Sequence, residues 1–110
     1  MLALMLMYTI SGIILSLISI PLILCKIGPN PWYGFRVPKT LSDPKVWYPA
    51  NAYAAKRLFV VGILGSLVSI LLFFVPNIDI NTYALSCAAV ILGGLIITLI
   101  QSFLFLRRFP

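Results

Sequence analysis

The polar side chains best suited to hold a ligand are concentrated in residues 27–51 of a chain that is 62% hydrophobic overall. Arg36 lies among aromatic residues there, and a guanidinium can bind a carboxylate or a phosphate through parallel N–H donors. Trp47 and Asn51 are four residues apart, which puts both side chains on the same face of a helix. A cation, an indole ring and an amide are therefore expected to lie close together.

Gln101 is a polar amide inside the last apolar segment, where a buried polar group is costly unless it is paired. We therefore predict a cluster in which Arg36 reaches toward Asn51 and Gln101, with a cation–π contact to Trp47. Such a cluster could bind a carboxylate or phosphate, or it could fasten the loop to the helices. Fastening is the favoured interpretation.

Residues for catalysis are scarce. Catalysis generally requires a positioned base, a nucleophile or a metal, but the chain has no histidine and only two acidic residues, Asp43 and Asp79. Asp43 precedes a proline in a pattern typical of a helix N-cap, and Asp79 is far from the candidate cluster in sequence. We expect no enzyme activity, no cofactor and no metal site. A transporter is disfavoured as well, because the apolar segments contain no carboxylate for a proton relay.

Composition indicates the elements that must position these residues. Only 9% of the residues are charged, whereas about a quarter are charged in an ordinary soluble domain. Three apolar segments each reach the ~20 residues that cross a ~30 Å hydrocarbon core. The sequence predicts an all-α membrane protein, a single domain over residues 1–110, with helices at about 2–25, 49–75 and 82–106 and a structured, proline- and aromatic-rich loop at 26–48. The first segment lacks the cationic start and cleavage site of a signal peptide, so we expect it to be retained.

The basic residues predict the orientation in the cell membrane. Six of them lie between residues 26 and 57, and Arg107 and Arg108 follow the third helix. Because cytoplasmic loops are enriched in lysine and arginine, the loop and the C-terminus are expected in the cytoplasm and the N-terminus outside. These cations should also attract anionic lipids. No direct binding of nucleic acid is expected, since no soluble groove-reading element is present.

Turn and cap signals shape the loop between the first two helices. Asn30-Pro31 is a turn former, and Gly34 suggests a backbone position with positive φ or a close approach. Ser42-Asp43-Pro44 is a helix-start signal, with Ser42 or Asp43 as the N-cap, while Pro49 offers a second start. The aromatic residues here also fit an interfacial belt.

Small residues recur at helical spacing in all three apolar segments. Such stripes let helix backbones approach closely in a membrane. Packing within one chain is the favoured interpretation, and a surplus stripe would favour a homo-oligomer or a bound peptide. Both cysteines, Cys25 and Cys87, are expected to be free and of the core type. The stripes are Gly12, Ser16 and Ser19; Gly62, Ser66 and Ser69; and Gly94, Thr98 and Ser102.

The segment NPWYGFRVPKTLSDPKVWYPAN, residues 30–51, resembles the signature of the SdpI family of small bacterial membrane proteins. That signature is Asn-Pro-x-x-Gly-x-Arg-x-Pro-x-Thr, then a tryptophan about seven residues later and an asparagine four residues after it. The matching positions are Asn30, Pro31, Gly34, Arg36, Pro38, Thr40, Trp47 and Asn51.

The resemblance implies a short, three-helix form of a membrane immunity protein, which protects a cell from a secreted, membrane-active peptide toxin. It also implies a receptor role in which a small DNA-binding repressor is held at the membrane. The matching residues are the implied site for a ligand or partner. An accessory or assembly subunit of a larger membrane complex is the alternative, and co-purification of a stoichiometric partner would favour it.

Overall fold

The structure is a computed structural model that describes residues 1–109. Within that range it contains α1 (Leu2–Ile23), α2 (Pro38–Leu41), α3 (Pro44–Phe73) and α4 (Ile80–Leu106). The helices α1, α3 and α4 are each long and apolar enough to cross a membrane. The prediction of an all-helical protein with three such helices is confirmed, and α2 is a short helix inside the first connection.

The first helix ends slightly earlier than expected, at Ile23 rather than at about residue 25. Cys25 has a φ of 57°, and the amide of Lys26 donates to the carbonyl of Pro21 at 2.9 Å. A residue in the left-handed backbone conformation, together with this hydrogen bond, commonly ends a helix. Cys25 is exposed, so the core-type interpretation is wrong for it, whereas Cys87 is buried; both thiols are free.

The middle helix begins at Pro44, well before the expected start at about residue 49. The Asp43 side chain accepts a hydrogen bond from the amide of Lys45 at 2.9 Å, which caps the helix. Pro44 then occupies the first turn, where its missing N–H costs nothing. Pro49 lies inside α3 and does not start a separate helix. The segment between α1 and α3 is consequently shorter than the predicted 26–48.

The helices α1 and α3 cross where their small residues face each other. A Cβ atom added at Gly12 would lie 2.5 Å from the carbonyl oxygen of Gly62. The Ser16 hydroxyl donates to the carbonyl of Phe59 at 2.9 Å, and Ser66 donates in return to Thr9 at 2.8 Å. The first two stripes are therefore buried against each other inside the chain. On the other side of α3, Val61 lies against Gly94 of α4.

The three helices are tied together at the end far from the loop by a buried tyrosine. Tyr83 is fully buried, and its hydroxyl donates to the carbonyl of Ser69 at 2.8 Å. The Ser69 hydroxyl in turn donates to Met5 of α1 at 3.2 Å. Tyr8 of α1 also donates to the carbonyl of Ala84 in α4 at 3.1 Å. At this end α1 and α4 meet directly as well as through α3.

Candidate functional site

Asn30 closes the turn at the start of the loop. Its side-chain amide donates to the carbonyls of Gly28 and Tyr33, at 2.8 and 3.0 Å. Its side-chain oxygen accepts from the amides of Trp32 and Tyr33, at 2.9 and 2.6 Å. One asparagine thus satisfies four backbone groups, which would otherwise have to face water or remain unpaired. Pro31 follows it, and its carbonyl accepts a hydrogen bond from the guanidinium of Arg36.

Thr40 holds the next part of the loop from inside α2. It is fully buried, and its hydroxyl accepts from the amide of Val37 at 3.0 Å and donates to the carbonyl of Phe35 at 2.8 Å. Pro38 begins α2, where a proline is well tolerated because the first N–H has no helical partner. This short helix turns the chain between Phe35 and the cap of α3.

Asn51 joins the loop to α3. It is 2% exposed, and its oxygen accepts from the amide of Phe35 at 2.5 Å. Its side-chain amide donates to the carbonyls of Trp47 and Phe35, at 3.0 and 3.4 Å. Gly34 stands directly beside it with a φ of 114°, and a Cβ there would lie 2.7 Å from the Asn51 oxygen. The glycine is required both by its backbone conformation and by this close approach.

Trp47 lies one turn before Asn51 on the same face of α3, as the spacing predicted. It is fully buried, and its indole N–H donates to the carbonyl of Ile27 at 2.7 Å. The ring also lies against Gly34, since a Cβ there would be 3.1 Å from the indole. Trp47 therefore fixes both the start of the loop, at Ile27, and its middle, at Gly34.

The predicted cluster around Arg36 is wrong. Arg36 is exposed and bonds to the loop carbonyl of Pro31, while the polar atoms of Trp47 and Asn51 bond to backbone groups. The two cation–π contacts within residues 1–109 are those of Arg57 with Tyr53 and of Arg108 with Phe105. The physical reason is that a loop packed against the helices must first satisfy its own amides and carbonyls, which uses up the donors and acceptors of Trp47 and Asn51 on α3. Gln101 lies in a separate groove, between α3 and α4.

Lys39 fastens the loop to the last helix, a role that sequence reasoning missed. Its ammonium donates to the carbonyls of Leu106 and Phe109, each at 2.6 Å. Carbonyls at a helix C-terminus lack helical partners and attract cations. An apolar cluster supports this contact, in which Phe35 and Val37 of the loop pack with residues of α3, of α4 and of the segment after it: Val46, Ala50, Phe105, Leu106 and Phe109. Nothing in the local sequence of Lys39 points to partners 67 and 70 residues away.

A cavity of about 430 Å³ lies beneath the loop, between α1 and α4 and against α3. Ile18 of α1 and Leu99 of α4 line it and are both exposed, so the cavity opens sideways between these two helices. Tyr33 and Phe35 form its roof, and burial raises the pKa of the Tyr33 phenol. The other lining residues are Ser19, Leu22, Gly34, Asn51, Ala54, Ala55, Leu58, Leu95, Thr98 and Ser102.

The cavity wall is apolar apart from a few small hydroxyls and the amide of Asn51. Ser102 is 2% exposed, and its hydroxyl has no hydrogen-bond partner among residues 1–109. A buried, unpaired hydroxyl is unfavourable and can be satisfied by a ligand that brings its own polar atom. The arrangement suits a predominantly apolar molecule that carries an occasional peptide or hydroxyl group. It offers no charged side chain for catalysis or for metal binding within its lining.

Comparison with known proteins gives one family. The model of the SdpI/YfhL protein family matches residues 26–104. That match contains nearly all of the loop, α2, α3 and nearly all of α4, so it includes every residue of the signature. No curated protein and no solved structure matches the chain.

Proposed function

Because the chain belongs to the SdpI/YfhL protein family, we propose that this multi-pass membrane protein is of the immunity type and protects its cell from a secreted, membrane-active peptide toxin. Protection in this proposal means capture. The toxin is bound inside the bilayer before it can assemble or damage the membrane. Capture requires no chemical step.

The sideways cavity is the observation that supports capture. A membrane-active peptide is already dissolved in the hydrocarbon, so it can reach the mouth between Ile18 and Leu99 without crossing a polar surface. The volume of about 430 Å³ falls within the roughly 300–1,000 Å³ typical of ligand pockets. Apolar side chains of the toxin would fill the cavity. A backbone amide or a hydroxyl of the toxin would pair with Ser102.

The signature residues contribute to this function by holding the roof. Asn30, Thr40 and Asn51 bond to backbone groups of the loop, and Trp47 packs against Gly34. These contacts support fastening over direct ligand binding for most of the signature. A roof fixed in this way keeps Tyr33 and Phe35 over the cavity, so that a bound peptide does not encounter loop backbone groups in need of partners.

We further propose that the loop and the C-terminus face the cytoplasm, because the basic residues are concentrated there. The exposed Cys25 lies at the loop end of α1, whereas Cys87 is buried, so the natural chain provides a probe. In intact cells a membrane-impermeant maleimide is expected to leave Cys25 unmodified, and after permeabilisation it should label that thiol. A Cys25→Ser variant gives the background.

A matched probe at the other end of the bundle completes the orientation test. In the Cys25→Ser background, an Asn81→Cys variant places a thiol at an exposed position near the start of α4. This thiol is expected to be labelled in intact cells. Labelling of Cys25 but not of the Asn81→Cys thiol in intact cells would reverse the proposed orientation.

Survival of a toxin-sensitive bacterium tests the proposed function. Cells that produce the chain are expected to survive a challenge with SDP, the secreted, membrane-active peptide toxin against which the resemblance to the SdpI family implies protection. Leu99→Trp should abolish that protection by blocking the mouth of the cavity. Ile100→Trp is the matched control, since Ile100 is an equally exposed neighbour that does not line the cavity. Membrane levels of the three proteins must be equal.

Two results would count against capture in the cavity. Equal protection by the natural chain and the Leu99→Trp variant would remove the cavity from the mechanism. No protection by the natural chain at good membrane levels would contradict immunity to this peptide. Co-purification of a partner in a fixed ratio would then favour the accessory-subunit role.

A further inference from the structure

We propose that a second groove, on the opposite side of α3 from α1, binds the phosphate of an anionic phospholipid. The groove has a volume of about 360 Å³ and runs between α3 and α4. The end of the groove nearest the loop is lined by Tyr53, Lys56, Arg57 and Gln101. Val60 and Ile97 extend the groove away from the loop. Each lies about one helical turn further from the loop than the polar residues of its own helix, Arg57 on α3 and Gln101 on α4. This site is independent of the proposed capture of a toxin.

Arg57 provides the strongest argument for a bound anion. Its Nε is buried and has no hydrogen-bond partner in the part of the chain that the structure describes. A buried, unpaired donor on a charged group is more costly than one on a neutral group. Lys56 lines the same groove, so two adjacent cations converge there. An anion that bound between them would remove the cost.

The protein's own acidic side chains do not supply that anion. The chain has only two, Asp43 and Asp79. Asp43 caps the start of α3, about 20 Å from Arg57 along the helix at roughly 1.5 Å per residue. Asp79 lies beyond the other end of α3, where burial is minimal and a hydrogen bond with Thr82 lowers its pKa. Neither acidic side chain therefore lies near Arg57, which leaves the groove free to bind an anion from another molecule.

Aromatic rings fix the arginine in a position that leaves the groove open. The guanidinium carbon of Arg57 lies 4.3 Å from the centre of the Tyr53 ring. Tyr53 is stacked in turn on Phe105 of α4, with 4.2 Å between ring centres. A guanidinium held against a ring loses little conformational freedom when it binds a phosphate, and its planar donors suit phosphate geometry.

The depth of the groove favours a lipid over a soluble anion. The helix from Arg57 to Phe73 is about 24 Å long at roughly 1.5 Å per residue, close to the ~30 Å of a hydrocarbon core. Arg57 thus lies near the boundary where lipid phosphates are found, with its cation turned toward Tyr53 at the loop end. The apolar continuation past Val60 and Ile97 provides a surface for an acyl chain. Gln101 adds amide donors for the headgroup.

Native mass spectrometry of the full chain in a neutral detergent tests this site. We expect phosphatidylglycerol to bind at least about ten-fold more tightly than phosphatidylcholine, and Arg57→Gln to remove about that factor. Arg107→Gln is the matched control, because it removes one positive charge at the exposed end of α4 and should change binding by less than about two-fold. Arg57→Lys keeps the charge but not the planar donors, so it is expected to give an intermediate affinity.

Three outcomes would overturn the proposal. The first is equal binding of phosphatidylglycerol by the Arg57→Gln and Arg107→Gln variants. The second is equal binding of the two lipids by the natural chain. The third is displacement of phosphatidylglycerol by millimolar inorganic phosphate, which would indicate a soluble anion. Circular dichroism of each variant ensures that the comparison is made between folded proteins.

Discussion

Replacing Asn51 with leucine is expected to lower the free energy of unfolding by about 1–3 kcal/mol, although the two side chains are similar in size. The reason is that the amide of Phe35 would lose its acceptor on Asn51, whereas the carbonyl of Phe35 would lose one bond and keep the one from the Thr40 hydroxyl. Leucine offers them nothing in return, and the Asn51 site is almost completely buried. An unpaired buried backbone group costs about 1–3 kcal/mol.

The midpoint of unfolding by increasing amounts of sodium dodecyl sulfate, followed by circular dichroism, measures this effect. Asn81→Leu is the matched control, since Asn81 is exposed at the start of α4 and its replacement should leave the midpoint nearly unchanged. Hydrogen exchange locates the damage, because the amide of Phe35 should exchange much faster in the Asn51→Leu protein. Equal midpoints for the two variants would show that Asn51 does not hold the loop.

Local signals in the sequence predicted a large part of this arrangement. The Asp43-Pro44 pair marked the true start of α3, although the helix was predicted to begin at about residue 49, and Gly34 has the positive φ that its surroundings suggested. The spacing of Trp47 and Asn51 placed both on one face, and both are buried. Each of these features depends on residues within a few positions of one another, where backbone geometry and side-chain type decide the outcome.

Pairings between distant segments were the part that could not be predicted. Arg36 was expected to reach Asn51 and Gln101, but its guanidinium bonds to the carbonyl of Pro31, five residues earlier. Lys39 looked like one more cation of a basic loop, yet it binds the end of α4. A cation in a loop has many carbonyls within reach, and only the packed structure decides which of them is close and unpaired.

The signature residues therefore hold the roof of the cavity in place more than they provide groups that would bind a ligand. Asn30, Thr40 and Asn51 each bond to backbone groups that are not part of a long helix. The cavity wall, in contrast, is formed mostly by apolar residues outside the signature, such as Ile18 and Leu99. If capture is the function, substitutions in the wall should change which peptide is bound, and substitutions in the signature should change how much folded protein there is.

Replacing Gly12 with leucine is expected to be the more disruptive change to the helices, with a loss of stability of about 3 kcal/mol. The Cβ alone would meet the side chain of Ser66 and lie 2.5 Å from the carbonyl of Gly62, so α1 and α3 would have to separate. Gly93→Leu is the matched control, because a Cβ at Gly93 has no neighbour within 4 Å. That variant should be neutral or slightly more stable, since leucine favours a helix by up to about 1 kcal/mol relative to glycine.

The same unfolding experiment separates the two variants, and equal midpoints would contradict the close crossing at Gly12. The pair also bears on the mechanism. Moving α1 away from α3 displaces Ile18 and widens the mouth of the cavity, whereas Asn51→Leu releases the roof and leaves the crossing of α1 and α3 intact. Capture of a peptide between α1 and α4 requires both parts. Protection is therefore expected to fail in each variant for a different reason, with fast exchange at Phe35 in the Asn51→Leu variant alone.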